Sequence, residues 1–178
     1  MDRGILQVLG AQEGEMVSGS WREHNGNIHK IVEVIRKEVR FQAQSYWDDS
    51  TGYSGRYLWG YATRAPGPGV NITPDHAMAD LISAVRSAAE EYDDVFEFCP
   101  SEINEVRGHA LIRLLHYLGH VRFMRMTDFI AAIFRGEWSE AGYQLRNTVW
   151  YELNGRKARC IMHEIRDGVV FTDYQEEE

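Results

Sequence analysis

Residues 31–63 read IVEVIRKEVRFQAQSYWDDSTGYSGRYLWGYAT, a stretch in which a helical pattern gives way to turns rich in aromatic residues and carboxylates. Ile31, Val34 and Ile35 recur at helical spacing, which predicts one apolar stripe, and Glu38 is its next member. Partial burial there would raise the pKa of the carboxyl, as a general acid working near neutral pH requires. The alternative interpretation is a solvated acid at a helix end or the partner of a structural arginine.

Two further carboxylates follow in the next turn. Residues 46–52, YWDDSTG, place Asp48 and Asp49 about ten positions beyond Glu38. Two acidic groups that face one cleft are the arrangement by which glycoside hydrolases work. The stretch therefore predicts an active-site lobe.

Composition limits the function classes. The chain has 178 residues, 44% of them hydrophobic, which suffices for one domain or for two lobes sharing a long helix. Its formal charge of −8 argues against nucleic-acid binding, because a phosphate backbone is held mainly by clustered Lys and Arg. The same charge fits poorly with an anionic cell-wall substrate.

Cysteine and histidine positions predict no metal site and no cofactor. Cys99 and Cys160 have neither metal-ligand spacing nor a disulfide framework, so we interpret them as small core side chains. His109, His116 and His120 fall on different helical faces and show no convergent ligand spacing.

The chain ends and its hydropathy predict synthesis in the cytoplasm without a signal peptide. The start, MDRGILQVLGAQEGEM, has an apolar run too short for a signal sequence, and no stretch approaches the roughly 18 apolar residues of a spanning helix. Action on a cell wall would then need release or delivery by another system. We expect no membrane insertion and a monomer.

The pattern predicts an α+β fold, mainly α, with a small antiparallel sheet lobe and a helical bundle lobe joined by a long helix. The predicted units are an irregular arm (1–27), the sheet-bearing lobe with the first helix (28–72), the interlobe helix (73–93), the helical lobe (94–170) and an acidic tail (171–178).

Capping signals set the predicted elements. The first helix is predicted over residues 28–42 and two or three strands over 43–63, before a Pro/Gly loop. Thr73 and Pro74 predict the start of a helix that runs to about Tyr92. Later helices are predicted to open at residues 100–102 and at a Thr127-Asp128 cap, to cover residues 137–146 and 155–167, and to end at Gly119, Gly136 and Gly168.

Several segments resemble the phage-type lysozymes, glycoside hydrolase family 24, which include the T-even-phage endolysins. In the second half these are EVRGHALIRLLHYLGHVRF, DFIAAIFRGEWSEAGYQL, NTVWYELNGRKAR and IRDGV. In the first half they are YWDDSTG, WGYATRAPGPG and ITPDHA. The resemblance covers residues 31–169 and implies a two-lobed lysozyme-like fold that hydrolyses the β-1,4 glycosidic bond of peptidoglycan.

The family pattern is a Glu, eight residues, an Asp, five residues and a Thr, and this chain departs from it. Glu38 has nine residues before Asp48, and Asp48 has five before Ser54. Another registration uses Asp49 and puts Gly55 at the threonine position, and a third puts Leu58 there. By resemblance Glu38 would protonate the leaving oxygen, while Asp48 or Asp49, with Ser54 beside it, would hold the attacking water.

The resemblance also implies supporting residues. The family arginine that pairs with the catalytic Glu falls on Lys157, with Arg156 adjacent; the alternative is that both are ordinary surface charges at a helix start. Tyr46 and Tyr61 are the candidate substrate-contacting tyrosines. Such an inverting site needs its carboxyls roughly 6.5 to 9.5 Å apart. The family glycine is absent at Ala62.

Two functions from different classes stay open. One is a muramidase acting on peptidoglycan glycan strands. The other is a catalytically impaired lysozyme-fold module that binds wall glycan or a protein.

Overall fold

The computed structural model describes residues 25–50 and 55–171. Over these residues the fold is α+β and mainly helical, with a small antiparallel sheet, which confirms the predicted class. The predicted arm lies outside the described residues except for its last three positions, which belong to the first helix. The predicted acidic tail lies outside them except for Phe171.

The first helix and the sheet contain most of residues 31–63. They are α1 (Asn25–Glu38), β1 (Gln42–Asp48), β2 (Arg56–Gly60) and β3 (Thr63–Arg64). The prediction of a helix over 28–42 was wrong at both ends. The chain leaves the helix at Glu38, because Phe41 packs against Tyr61 with ring centroids 5.6 Å apart and β1 begins at the next residue.

The three strands are antiparallel in the order β1-β2-β3. Asp48 pairs with Arg56 in the register of β1 and β2. The turn after β2 needs left-handed backbone at Gly60 (φ 56°) and at Ala62 (φ 61°). A Cβ on Gly60 would lie 2.9 Å from the Cβ of Ala77, so the sheet approaches the next helix closely there.

That helix, α2 (Pro74–Phe96), joins the sheet to the bundle. Thr73 is its N-cap, with Oγ1 accepting a hydrogen bond from the His76 backbone N–H at 3.3 Å, and Pro74 occupies the first turn. This confirms the predicted start, and the helix extends one turn beyond the predicted end. It contacts β2 and β3 on one side and the central bundle helix on the other.

The described part of the chain continues as six further helices. They are α3 (Glu105–Leu118), α4 (His120–Met124), α5 (Thr127–Phe134), α6 (Trp138–Arg146), α7 (Val149–Leu153) and α8 (Gly155–Asp167). Gly119, Gly136 and Gly168 follow α3, α5 and α8 with φ of 78°, 69° and 69°, which confirms the three predicted helix ends.

Two predicted helix starts were wrong. Asn104, not residues 100–102, caps α3 by accepting from the Arg107 N–H at 3.0 Å, while Ser101 donates to the Ile133 carbonyl and remains in a loop. Thr127 is the first residue of α5 and Met126 is its N-cap, without a side-chain cap bond. The five-residue helices α4 and α7 were not predicted, since each is too short to show a period.

One hydrophobic core runs through α1, α2, α3 and the later helices. Helix α3 is its centre, because its buried residues fall on nearly every side. Of the helices in residues 25–50 and 55–171, none is both long and apolar enough to cross a membrane.

Candidate functional site

Glu38 ends α1, and its carboxylate forms one hydrogen bond and one ion pair with side chains of α3. The side chain is 14% exposed, at the end of a face on which Ile31 and Ile35 are fully buried. Oε2 accepts a hydrogen bond from the Tyr117 hydroxyl at 2.7 Å, and Oε1 lies 3.4 Å from Nη2 of Arg113. The two donors are four residues apart on α3, so they project from the same helix face.

Arg113 is shared by a second carboxylate. Its side chain is only 4% exposed, and the same Nη2 donates to Oε2 of Glu164 on α8 at 2.9 Å. Burial raises the pKa of Glu164, while Arg113 and the backbone N–H of Phe171 oppose that rise. One buried cation therefore lies between two acids.

Tyr117 is buried and links the site to the helical lobe. Burial, and then the charge of Glu38, raise the pKa of its hydroxyl well above 10, so the hydroxyl keeps its proton and donates. The ring stacks on Trp150 with centroids 6.4 Å apart, and Nζ of Lys157 lies 4.2 Å from its ring centroid. Such a contact attracts the ammonium to the ring face.

Asp48 is positioned by the turn that follows β1. Oδ1 accepts from the hydroxyl of Ser50 at 2.6 Å and from its backbone N–H at 3.3 Å, while Oδ2 lies 3.9 Å from Nε of Arg56. Asn154, at the junction of α7 and α8, donates to the Ser50 carbonyl at 2.9 Å. These contacts fix the carboxylate and bind its turn to the helical lobe.

Arg56 completes a path between the two candidate carboxylates. Its Nη2 donates to the backbone carbonyl of Tyr117, whose hydroxyl donates to Glu38, and its Nε faces Asp48. Burial lowers the pKa of Arg56, yet a guanidinium stays charged in proteins. We call the side chains so joined the carboxylate network; its members are Glu38, Asp48, Arg56, Arg113, Tyr117, Lys157 and Glu164.

Lys157 senses both candidate carboxylates. Burial lowers its pKa, and Glu38 and then Asp48 oppose that change electrostatically. The two acids therefore lie within electrostatic reach of one ammonium. The prediction paired Glu38 with Lys157, whereas the structure pairs Glu38 with Arg113 and places Nζ of Lys157 over the ring of Tyr117.

The other predicted site residues lie in different surroundings. Tyr46 is half-buried. Burial raises the pKa of its hydroxyl, and the charge of Asp48 adds to that rise, so Tyr46 faces the network. Asp49 and Arg156 are exposed. Tyr61 packs on Phe41, away from these contacts. Ser54 lies outside the described residues, as do residues 51–53.

Sequence reasoning missed Arg113, Tyr117 and Glu164. A signal existed, since Arg113 interrupts the apolar run Ala110-Leu111-Ile112 and Leu114-Leu115 on a helix buried on nearly all sides. An ionisable side chain there must have an acidic partner. The identity of that partner could not be read, because Glu164 is 51 residues away in sequence.

Two concave regions adjoin the network. Trp150, which stacks on Tyr117, lines a cavity of about 360 Å³ that also includes Arg122, Arg125 and Gln144. Arg56 lines a second concave region of about 560 Å³ beside Trp47, whose ring is 57% exposed. The arrangement thus offers two fixed carboxylates of different surroundings, with open space next to each lobe.

Within the described ranges, no group of three or more His, Cys, Asp or Glu side chains is placed to hold a metal ion. Comparison of the sequence with protein-family models and with curated proteins gave no match.

Proposed function

We propose that this protein is a glycoside hydrolase of the lysozyme type, a muramidase that cleaves the β-1,4 bonds of peptidoglycan glycan strands. The observation that carries the proposal is the link between Glu38 and Asp48: Tyr117 donates to Glu38, Arg56 joins the Tyr117 carbonyl to Asp48, and Lys157 lies within electrostatic reach of both acids. Pairs of carboxyls whose surroundings differ are the acid and base pairs of glycosidases. Arg56, beside Asp48, lines one concave region, and Trp150, beside Tyr117, lines a second, while neither candidate carboxylate lines them.

In this proposal Glu38 is the general acid. It is the last residue of α1 and its side chain is 14% exposed, and its partner Tyr117 fits both protonation states, because a phenol hydroxyl can donate to a carboxylate or accept from a carboxylic acid. Proton transfer by a positioned side chain contributes roughly 10²- to 10⁴-fold to a rate.

Asp48 holds and polarises the attacking water. Ser50 and Arg56 keep its carboxylate in one orientation, and Oδ2 lies 3.9 Å from Nε of Arg56. Asp49 is exposed, so the Asp48 registration is the one that these contacts favour. The substrate is glycan, the protein acts as a monomer, and no cofactor takes part.

A second function has its own support. Both oxygens of Glu38 face donors, an arrangement that also suits a carboxylate whose task is to hold α1 against α3. The spacing of nine residues between Glu38 and Asp48 departs from the related family. Both points favour a lysozyme-fold module that binds wall glycan or a protein without cleaving it.

Clearance of permeabilised Gram-negative cells, followed as a fall in turbidity, separates the two functions. The wild type should clear the suspension, while Glu38→Gln and Asp48→Asn should lower the rate by about 10²-fold or more. Asp49→Asn is the matched control and should stay within a few-fold of the wild type.

A folded wild type that releases no reducing sugar from purified peptidoglycan would refute the muramidase proposal. If that protein still cosediments with the peptidoglycan, the binding module becomes the better description. Equal loss of activity in Asp48→Asn and Asp49→Asn would refute the assignment of Asp48 alone.

A further inference from the structure

We infer that Glu164 is a positioning residue of this site, acting on Glu38 through the guanidinium of Arg113 that both carboxylates share. The inference rests on the proposed function for its catalytic meaning. The coupling itself rests on contacts that exist whatever the protein does.

The two carboxylates compete for one nitrogen. Nη2 of Arg113 lies 2.9 Å from Glu164 and 3.4 Å from Glu38, so any shift towards one acid weakens the contact with the other. Nε of Arg113 is buried and has no hydrogen-bond partner among the described residues, so it does not bind one acid while Nη2 binds the other. Glu164 therefore determines how strongly Arg113 interacts with Glu38.

The triad of Glu38, Arg113 and Glu164 holds one cation for two carboxyls, and Lys157 is a further cation within electrostatic reach of Glu38. Glu164 is 6% exposed and the Arg113 side chain 4%, so both acids ionised beside one cation would leave a net negative charge almost out of water. Burying an uncompensated charge is costly, and the ionisation of either acid opposes that of the other. The two carboxyls should titrate as one coupled pair.

Neighbouring groups do not remove this coupling. Those that act on the triad electrostatically or by hydrogen bonds are Tyr117 and His109 on α3, Lys157 and Cys160 on α8, and the Phe171 N–H, while Arg156, Asp48, Arg56 and Tyr46 act on these neighbours. Burial raises the pKa of Cys160, and Glu38 and Glu164 add to that rise, so a third group already senses both acids.

A neutral side chain at position 164 should make Glu38 lose its proton more readily. Glu164→Gln removes one negative charge and releases Arg113 to pair with Glu38 alone, and both effects favour the ionised carboxylate. If Glu38 is the general acid, the enzyme loses its active form at lower pH. The basic limb of the hydrolysis profile should therefore move to lower pH.

The test compares full-length Glu164→Gln with Glu152→Gln, an exposed glutamate of α7, as the matched control. Hydrolysis of purified peptidoglycan is measured from pH 4 to 9. Displacement of the basic limb by one pH unit lowers activity on that limb about tenfold, with little change at acidic pH. Glu164→Asp, which restores the charge, should recover part of the profile, whereas a purely structural role would lower activity equally at every pH.

A second measurement does not depend on activity or on a substitution at 164. The side-chain carboxyl ¹³C signals of glutamate-labelled protein are titrated in the wild type, Glu38→Gln and Glu164→Gln. Each substitution should lower the titration midpoint of the remaining acid, and by equal amounts, because coupling between two sites is reciprocal.

Unchanged midpoints in the folded variants would overturn the inference, as would a basic limb that stays in place in Glu164→Gln. Inactive wild type with coupled midpoints would instead remove the proposed function and leave the shared cation established. If Glu164→Gln does not fold, the midpoint of Glu164 in Glu38→Gln decides the coupling alone.

Discussion

The contact between the sheet and α3 should make folding stability depend on pH through His116. Burial lowers the pKa of His116 from 6.5 to about 4, and Arg56 and Lys157 add to that effect, while a hydrogen bond with the Tyr61 backbone opposes it. Nε2 is buried without a hydrogen-bond partner in the part of the chain that the structure describes. A proton added to Nε2 would be neither hydrated nor hydrogen-bonded to an acidic side chain of the described residues.

The sign and size follow from these pKa values. Between pH 6.5 and 4 the unfolded chain binds the proton and the folded protein does not, so stability is complete above pH 6.5 and is lost as the pH falls towards 4. At about 1.4 kcal/mol per pH unit the whole interval amounts to about 3 kcal/mol. Acidification from pH 7.5 to 5 should cost about 2 kcal/mol at this residue alone.

Urea unfolding at pH 7.5 and 5 tests this in the wild type, in His116→Gln and in His76→Gln. Glutamine at 116 can still bond to the Tyr61 backbone but cannot titrate, so this variant should lose about 2 kcal/mol less on acidification. His76 is exposed at the start of α2, and its variant should follow the wild type. Part of the slope should persist in His116→Gln, because burial also lowers the pKa of His109 to about 4.

The reasoning is refuted if His116→Gln, folded at pH 7.5, loses as much stability on acidification as the wild type. An imidazole NMR signal of His116 that titrates near 6.5 in the folded protein would refute it independently.

Four other substitutions have definite expectations. Asn154→Ala breaks the bond to the Ser50 carbonyl and should lower the free energy of unfolding by about 1 kcal/mol in urea titration; an unchanged value would mean that water replaces the amide. Gly60→Ala and Gly69→Ala both force alanine into positive φ, at roughly 1 to 2 kcal/mol. In thermal unfolding, Gly60→Ala should lower the melting temperature more than Gly69→Ala does. The new Cβ at position 60 would lie 2.9 Å from a Cβ of α2, while Gly69 has open space. Lys157→Met removes a cation that faces both candidate carboxylates, so the acidic limb of the hydrolysis profile should move to higher pH, and an unmoved limb would count against its place in the network.

Local signals were sufficient for most helix ends. Thr73 and Pro74 begin α2, and Gly119, Gly136 and Gly168 follow the ends of their helices, because a cap depends on the backbone of a few neighbouring residues. The α+β class followed from the change of period at the end of α1. The start of α3 did not follow from local signals, since Ser101, which was predicted to lie at that start, donates to a carbonyl 32 residues away.

The residues of the candidate site, too, were predicted only in part from the sequence. The sequence by itself identified Glu38, from a stripe of helical period, and the acids at 48 and 49, from a turn beside it. It left the choice between those acids open, because both precede the same turn. Only the tertiary contacts distinguish them, with Asp48 bonded to Ser50 and Asp49 exposed.

The partners of Glu38 were decided by tertiary structure alone. Tyr117 is 79 residues from Glu38 in sequence, and Arg113 and Glu164 are 51 residues apart. Sequence shows that a buried arginine needs an acid, because an unpaired charge in a core is too costly to keep. Which acid it meets, and that it meets two, depends on how α1, α3 and α8 pack, and no local pattern contains that information.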